Sequence, residues 1–336
     1  MNRRAFFKLA GLASAAAVGG IMVAHRDSFE SLSFDRNSYR VSQSRQAMGT
    51  HVDVTAIGES RAATEDAVAA VFDDVHKMER LFTRYGNTSP VCELNAEGTM
   101  QHLPDELAVL LNACIDYHRE TGGAFDITVK PCLDMFEAKS AQGLTPSDAD
   151  IAALMPFLGT EKLQIRDNSL VIPQGMGITL DGAAPGFIAD RAAQILQARG
   201  IGNFLVNAGG EIRTSGYARQ GKDWRIAIQD PSGKGQYPGT IALKNAAVST
   251  SGNYEIYYGD DKVFHHIVNA KTGRSPKSFA SVTVTAPTAL EADILSTALF
   301  VMEPQQALNF VEARPHLACL MVQNDGQILK SRRFIG

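Results

Sequence analysis

Apolar and polar positions alternate with period two along His51-Val52-Asp53-Val54-Thr55-Ala56-Ile57, and then Val68, Val71, Phe72, Val75 and Met78 recur at helical spacing. A strand with one buried face therefore feeds a long amphipathic helix. Leu107, Leu110, Leu111 and Cys114 form a second apolar stripe, which predicts a helix from Pro104 to about Glu120. Thr145-Pro146-Ser147-Asp148 reads as a helix start capped by Thr145, and Leu163 to Ile172 as two short strands around Asp167-Asn168. Phe187 to Ala198 is helical and stops at Gly200. Further strands are expected around Phe204 to Asn207, Trp224 to Gln229, Ile241 to Ser249, Phe264 to Val268 and Ser281 to Thr285. Helices follow from Thr288 to Met302 and near Gln305 to Ala313, and a last hairpin turns at Asp325-Gly326. Strands and helices mix without a regular βαβ period, which favours an α+β fold of mixed sheets flanked by helices.

Composition narrows the function. The chain has 336 residues, 45% hydrophobic and 20% charged, enough for a sizeable core in one or two domains. Its net charge of -4 leaves no basic field for nucleic acid. At the N-terminus, Asn2-Arg3-Arg4-Ala5-Phe6-Phe7-Lys8 leads into an uncharged run from Leu9 to Ala24. That pattern reads as a twin-arginine export signal over residues 1–24, and the run is shorter than the roughly 20 apolar residues of a membrane span. The expected mature protein is periplasmic and has no membrane anchor. Residues 25–46, polar and aperiodic, read as an N-terminal extension, with one domain over 47–336. Cys92, Cys114, Cys132 and Cys319 have no metal-ligand spacing and read either as isolated buried thiols or, in an oxidising compartment, as containing one bridged pair.

The most informative cluster for chemistry is Glu291-Ala292-Asp293-Ile294-Leu295-Ser296-Thr297. On a helix, Asp293 and Thr297 share a face, so a carboxylate and a hydroxyl point into one space, as a hard cation such as Mg²⁺ requires. The same pattern also suits an Asp favoured by the helix dipole and a Thr bonded to its own backbone. Glycine-rich turns at Asp181 to Gly186 and Asn207 to Gly210 allow close backbone approach to a phosphate, with Gly182, Gly209 and Gly210 as candidates, or serve as ordinary turns. Neither matches a dinucleotide-binding or P-loop fingerprint. Thr250 and Ser251 offer hydroxyls to a phosphate or close a strand. In His265-His266, a strand-end imidazole is placed to act as a general base or to bond a backbone carbonyl.

These pieces occur in one order, and that order resembles the ApbE family of FAD:protein FMN transferases. The resemblance runs through Met48-Gly49-Thr50, Thr121 to Thr128 with Pro131, Gly182 to Asp190, Asn207 to Glu211, Trp224 to Pro231, Ser249 to Tyr254, His266 to Gly273 with Pro276, and Ala292 to Met302. It implies an FAD cleft and a divalent cation, usually Mg²⁺, held by Asp293, Thr297 and the backbone carbonyl of Ala184. It also places Met48, Tyr85, Asp126, Gly209 and Gly210 near the flavin or adenosine. The implied reaction is attack by a Thr or Ser hydroxyl of a partner protein on the FMN-side phosphorus, with AMP leaving and His266 as the first candidate base. The alternatives are an FAD-binding delivery protein or a metal-dependent FAD pyrophosphatase. Pro185 stands where most members carry Lys, Thr179 where they carry Asp, Asp181 where they carry Gly, and Asn253 and Asn269 where Asp is common. Thr179 to Phe187 is similar to NosX-like members, whose partner is a respiratory membrane protein with an exported loop.

Overall fold

Alternation decides the sheet. In Thr50–Gly58, Val52, Val54 and Ala56 are fully buried while the residues between them face outward. A computed structural model describes residues 29–35, 38–86, 88–219, 221–233, 235, 237–259 and 263–335. The export signal expected over 1–24 lies outside them. The strands are β1 (Phe29–Asp35), β2 (Ser38–Ala47), β3 (Thr50–Gly58), β4 (Thr99–Met100), β5 (Gln164–Arg166), β6 (Ser169–Val171), β7 (Asn203–Ala208) and β8 (Glu211–Ser215). They continue as β9 (Trp224–Ala227), β10 (Thr240–Leu243), β11 (Ala247–Gly252), β12 (Tyr257–Tyr258), β13 (Phe264–His265), β14 (Phe279–Ala286), β15 (Ala318–Gln323) and β16 (Ile328–Lys330). The helices are α1 (Arg61–Phe82), α2 (Pro90–Glu97), α3 (Asp105–Glu120), α4 (Lys130–Ala141), α5 (Asp148–Leu154), α6 (Ala184–Ala198), α7 (Ala289–Val301) and α8 (Pro304–Glu312).

Nine strands form one sheet in the order β1-β2-β3-β7-β8-β11-β14-β15-β16, and every neighbouring pair is antiparallel. Helices α1, α6 and α7 pack on it and enclose the main core, which includes Phe72, Phe204, Phe279 and Phe300. A smaller core of Ile228, Ile241, Leu243, Val248, Leu320 and Phe334 joins the β9–β10 hairpin to the sheet. Helices gathered against an antiparallel sheet make this the α+β fold that the sequence implies.

Several elements differ from the pattern reading. β2 lies in the stretch read as an extension and is a full sheet member. Its core face carries Gln43 between Val41 and the later Ala47, which hides the alternation. The helix expected to be capped by Thr145 is capped by Ser147, whose hydroxyl accepts the Asp150 N–H in a reciprocal capping box. The strand expected over Ile241 to Ser249 is two, β10 and β11, broken where Asn245 takes a φ of 53°. Only Phe264–His265 of the strand expected from Phe264 to Val268 is extended in a ladder. Helix α6 starts three residues before Phe187, with Pro185 in its first turn, where a missing N–H costs nothing.

Candidate active site

Helix α7 is apolar on all sides and buried along most of its length, so Asp293 and Ser296 are polar groups inside a hydrophobic layer and need partners there. Asp293 is 4% exposed, and its Oδ2 accepts the Gly186 N–H at 2.9 Å. Among the described residues this is the only hydrogen bond to that carboxylate. One turn later, Thr297 Oγ1 lies 3.2 Å from Ser251 Oγ on β11. Ser296 donates to the Asp293 carbonyl at 2.9 Å and meets Ser251 Oγ at 2.8 Å. The one-turn spacing thus sets a carboxylate and two hydroxyls side by side, as the sequence pattern requires.

The turn before α6 closes this group from the other side. A Cβ at Gly182 would sit 3.1 Å from Thr297 Oγ1, and one at Gly186 would sit 2.5 Å from the Ala289 carbonyl oxygen and 2.8 Å from Asp293 Cβ. The backbone therefore touches both side chains, and Ala184 lies between the two contact points as the first residue of α6. Gly186→Ala must push apart α6 and α7. It is expected to cost about 1–3 kcal/mol, read as a lower denaturant midpoint with an unchanged slope.

Burial pushes Asp293 up to about 7, against the pull of the Gly186 N–H, and the nearby Glu255, Asp181 and Asp190 add to the push. Glu211, at the start of β8, is raised by burial and then by Asp293 and Glu255. Glu255 keeps half of its side-chain surface open, at 50%, and desolvation raises it to about 7, an effect that its exposure moderates. Carboxylates crowded together beside hydroxyls and a close-approaching backbone are hard oxygen donors, and they fit a divalent cation of the Mg²⁺ class.

The two adjacent histidines have different jobs. His265 is 2% exposed; its Nε2 donates to the Pro276 carbonyl at 3.0 Å and its Nδ1 accepts the Ile267 N–H at 3.3 Å, so it is structural. His266 keeps 25% of its side chain exposed, its Nε2 stands 4.0 Å from Glu255 Oε2, and its Nδ1 is buried without a hydrogen-bond partner among the described residues. Burial, then His265, lowers His266 to about 4, with Asp181 acting in the opposite direction, so its imidazole is neutral at ordinary pH.

The other sequence candidates fall in different places. Tyr85 is 61% exposed and stacks on the Arg84 guanidinium, whose carbon lies 4.4 Å from the ring centre. Met48 and Gly49 make the two-residue turn between β2 and β3, both at positive φ, with the Met48 N–H donated to Glu79 Oε1 at 2.6 Å. Gly209 and Gly210 make the equivalent turn between β7 and β8, at φ 85° and 125°, which a side chain resists. A Cβ on Gly209 would lie 2.8 Å from Thr50 Cγ2, so the two hairpin ends touch beside Glu211. Thr250 differs from Ser251: its hydroxyl pairs with Thr283 Oγ1 at 2.9 Å on the opposite face of β11.

Asp126 is placed as a brace. Its side chain is 2% exposed and accepts from Thr128 N at 2.8 Å, Thr160 N at 3.0 Å and Thr160 Oγ1 at 2.9 Å, so its oxygens are spent on the loop. It also faces His118 Nδ1 at 3.4 Å, and His118 Nε2 stands 3.2 Å from Glu161. The ligand atoms of these three groups lie within 4.8 Å of one another, close enough to gather round an ion. Sequence reasoning missed Arg84, Glu255 and the role of Asp181, because loop residues carry no periodicity.

The chain is similar in sequence and fold to known proteins. The sequence matches the ApbE family over residues 48–321. It is 30% identical over 309 residues to an FAD:protein FMN transferase of Haemophilus influenzae, covering 87% of this chain and 89% of that one. A Klebsiella pneumoniae protein of the same description is 31% identical over 299 residues, covering 85% of each chain. Among solved structures, an ApbE protein from Thermotoga maritima aligns with a TM-score of 0.80 at 29% identity, over 87% of this chain and 97% of that one. The flavin transferase ApbE from Vibrio cholerae aligns with a TM-score of 0.77 at 28% identity, over 88% and 98%. Fold and sequence together define a flavin transferase. The chain belongs to the ApbE family, and it is an enzyme of the FAD:protein FMN transferase class.

Proposed function

We propose that this enzyme moves the FMN half of FAD onto a Thr or Ser hydroxyl of an exported partner protein, with a divalent cation held by Asp293, Thr297 and the Ala184 carbonyl. The observation that carries this reading is the buried Asp293 carboxylate, which has a single hydrogen bond and stands one turn from Thr297 against the glycine turn. Once ionised, a carboxylate sealed into an apolar helix with so few donors is costly unless a cation joins it. When bound, the cation supplies positive charge where the phosphoryl oxygens become more negative.

The acceptor oxygen forms a bond to the FMN-side phosphorus, the bridging P–O bond breaks, and AMP leaves with the bridging oxygen. The acceptor proton goes to His266, whose imidazole is neutral and partly open. Ser251 and Ser296 hold Thr297 and the end of β11 in register with the turn. The paired arginines and apolar run in residues 1–24 support a partner outside the cytoplasm, in keeping with a membrane protein of respiration that has an exported loop.

The direct test incubates the protein with FAD, Mg²⁺ and a candidate acceptor domain and follows AMP and acceptor-bound flavin fluorescence. Equal amounts of AMP and covalent flavin are expected. Free FMN with AMP would make it a pyrophosphatase, and intact bound FAD a carrier.

A further inference from the structure

The groups around Asp293 are mostly acidic: Glu255, Asp181 and Asp190 all raise Asp293, and Glu211 is itself raised by Asp293 and Glu255. A dinucleotide brings more negative charge to the same place, and one bound cation does not face every phosphoryl oxygen. Arg84 supplies what is lacking. It leaves α1 two residues after Phe82, yet its side chain is only 7% exposed. Its Nε donates to Asp181 Oδ2 at 2.6 Å, its Nη2 to the Tyr85 hydroxyl at 2.7 Å, and its guanidinium carbon lies 4.4 Å from the Tyr85 ring centre. Asp181 is the residue before Gly182, which touches Thr297. The contacts therefore run from Thr297 through Gly182 and Asp181 to the guanidinium, and the charge of Arg84 is also felt at His266 and Tyr258.

We infer that Arg84, held by Asp181 and Tyr85, is the fixed cation that binds the diphosphate of the dinucleotide substrate. The inference rests on the reading of the site as an FAD site. A guanidinium presents five N–H donors in a rigid fork, and the two hydrogen bonds to Asp181 and Tyr85 leave donors for phosphate oxygens. Because the fork is already oriented, little conformational entropy is lost when the phosphate arrives. Tyr85, open to solvent beside it, offers a ring face to a planar base or flavin.

The test compares the full-length protein with Arg84→Gln and Arg84→Lys, using FAD, ADP and riboflavin as probes at low and high salt. Arg84→Gln should weaken FAD and ADP binding by about tenfold or more and flatten their salt dependence, leaving riboflavin, which lacks phosphate, within about twofold. Arg84→Lys keeps the charge and should recover part of the loss. Equal losses for riboflavin and FAD, with a shifted unfolding midpoint, would make Arg84 a loop brace and overturn the inference. So would unchanged FAD affinity in an Arg84→Gln enzyme that still transfers flavin, and that result leaves the transferase reading intact. If the wild-type protein binds no FAD, the site reading fails, and this inference fails with it.

Discussion

Asp293→Asn is expected to remove Mg²⁺-dependent flavin transfer, lowering kcat/KM by on the order of 10²–10³-fold, and at the same time to leave the cation-free protein no less stable at pH 8. The first effect follows from losing the anionic ligand while keeping its shape. The second follows from the proton balance. In the folded chain burial keeps Asp293 protonated up to about 7, whereas in the unfolded chain it ionises near 3.8. The folded state thus binds more protons between those values, so the contribution of this group is fully present at low pH and is lost as pH rises through about 7. Asparagine cannot ionise, so the variant escapes that loss, and its amide oxygen still accepts the Gly186 N–H. If Asp293 holds Mg²⁺ as proposed, Mg²⁺ and the proton compete for it in the wild-type enzyme, and Mg²⁺ affinity should climb as pH rises through about 7. Thermal unfolding with and without Mg²⁺ at pH 5.5 and pH 8 checks both arms. A wild-type midpoint that Mg²⁺ leaves unchanged at pH 8 would sink the metal assignment.

The core strand β3 and helix α1 were legible because their side-chain periods match their burial: Val52, Val54 and Ala56 at two, and Val68, Val71, Phe72, Val75 and Met78 at helical spacing. The pairing of Asp293 with Thr297 was legible for the same reason, since a helix fixes which residues share a side. What the spacing could not reveal is set by tertiary contact. β2 escaped because its neighbours supply the sheet that its polar core-face residue Gln43 obscures. Arg84 and Glu255 sit in loops, where position depends on what the chain touches, such as Asp181 for Arg84 across 97 residues of sequence. Thr250 and Ser251 looked equivalent as neighbours, and only the strand's alternation, with Thr283 facing one and Thr297 the other, separates them. Nothing in the sequence around Asp126 showed that threonine hydroxyls and backbone N–H groups from two loops would take its oxygens.

If His266 takes the acceptor proton as proposed, His266→Ala should lower kcat for flavin transfer by about 10²–10⁴-fold while FAD affinity stays within a few-fold. Geometry singles out His266 from its neighbour: His265 has both ring nitrogens bonded within the protein, whereas His266 has a buried Nδ1 without a partner among the described residues and a partly open side chain. With its own value lowered to about 4, His266 is a base throughout the working range, and its protonation does not set the acid limb of the rate. With the proposed cation, that limb falls to Asp293, near 7, which would have to ionise before the cation binds well. The approaching diphosphate favours an imidazolium beside it, so His266 becomes a stronger base when substrate is present than when it is absent. The pH profile therefore separates the two roles: loss of His266 should scale kcat down while leaving the acid limb near pH 7 in place. If His266→Ala transfers flavin at the wild-type rate, the proton must leave by another route, and Glu255, 4.0 Å away and half-exposed, is the group in position to take it.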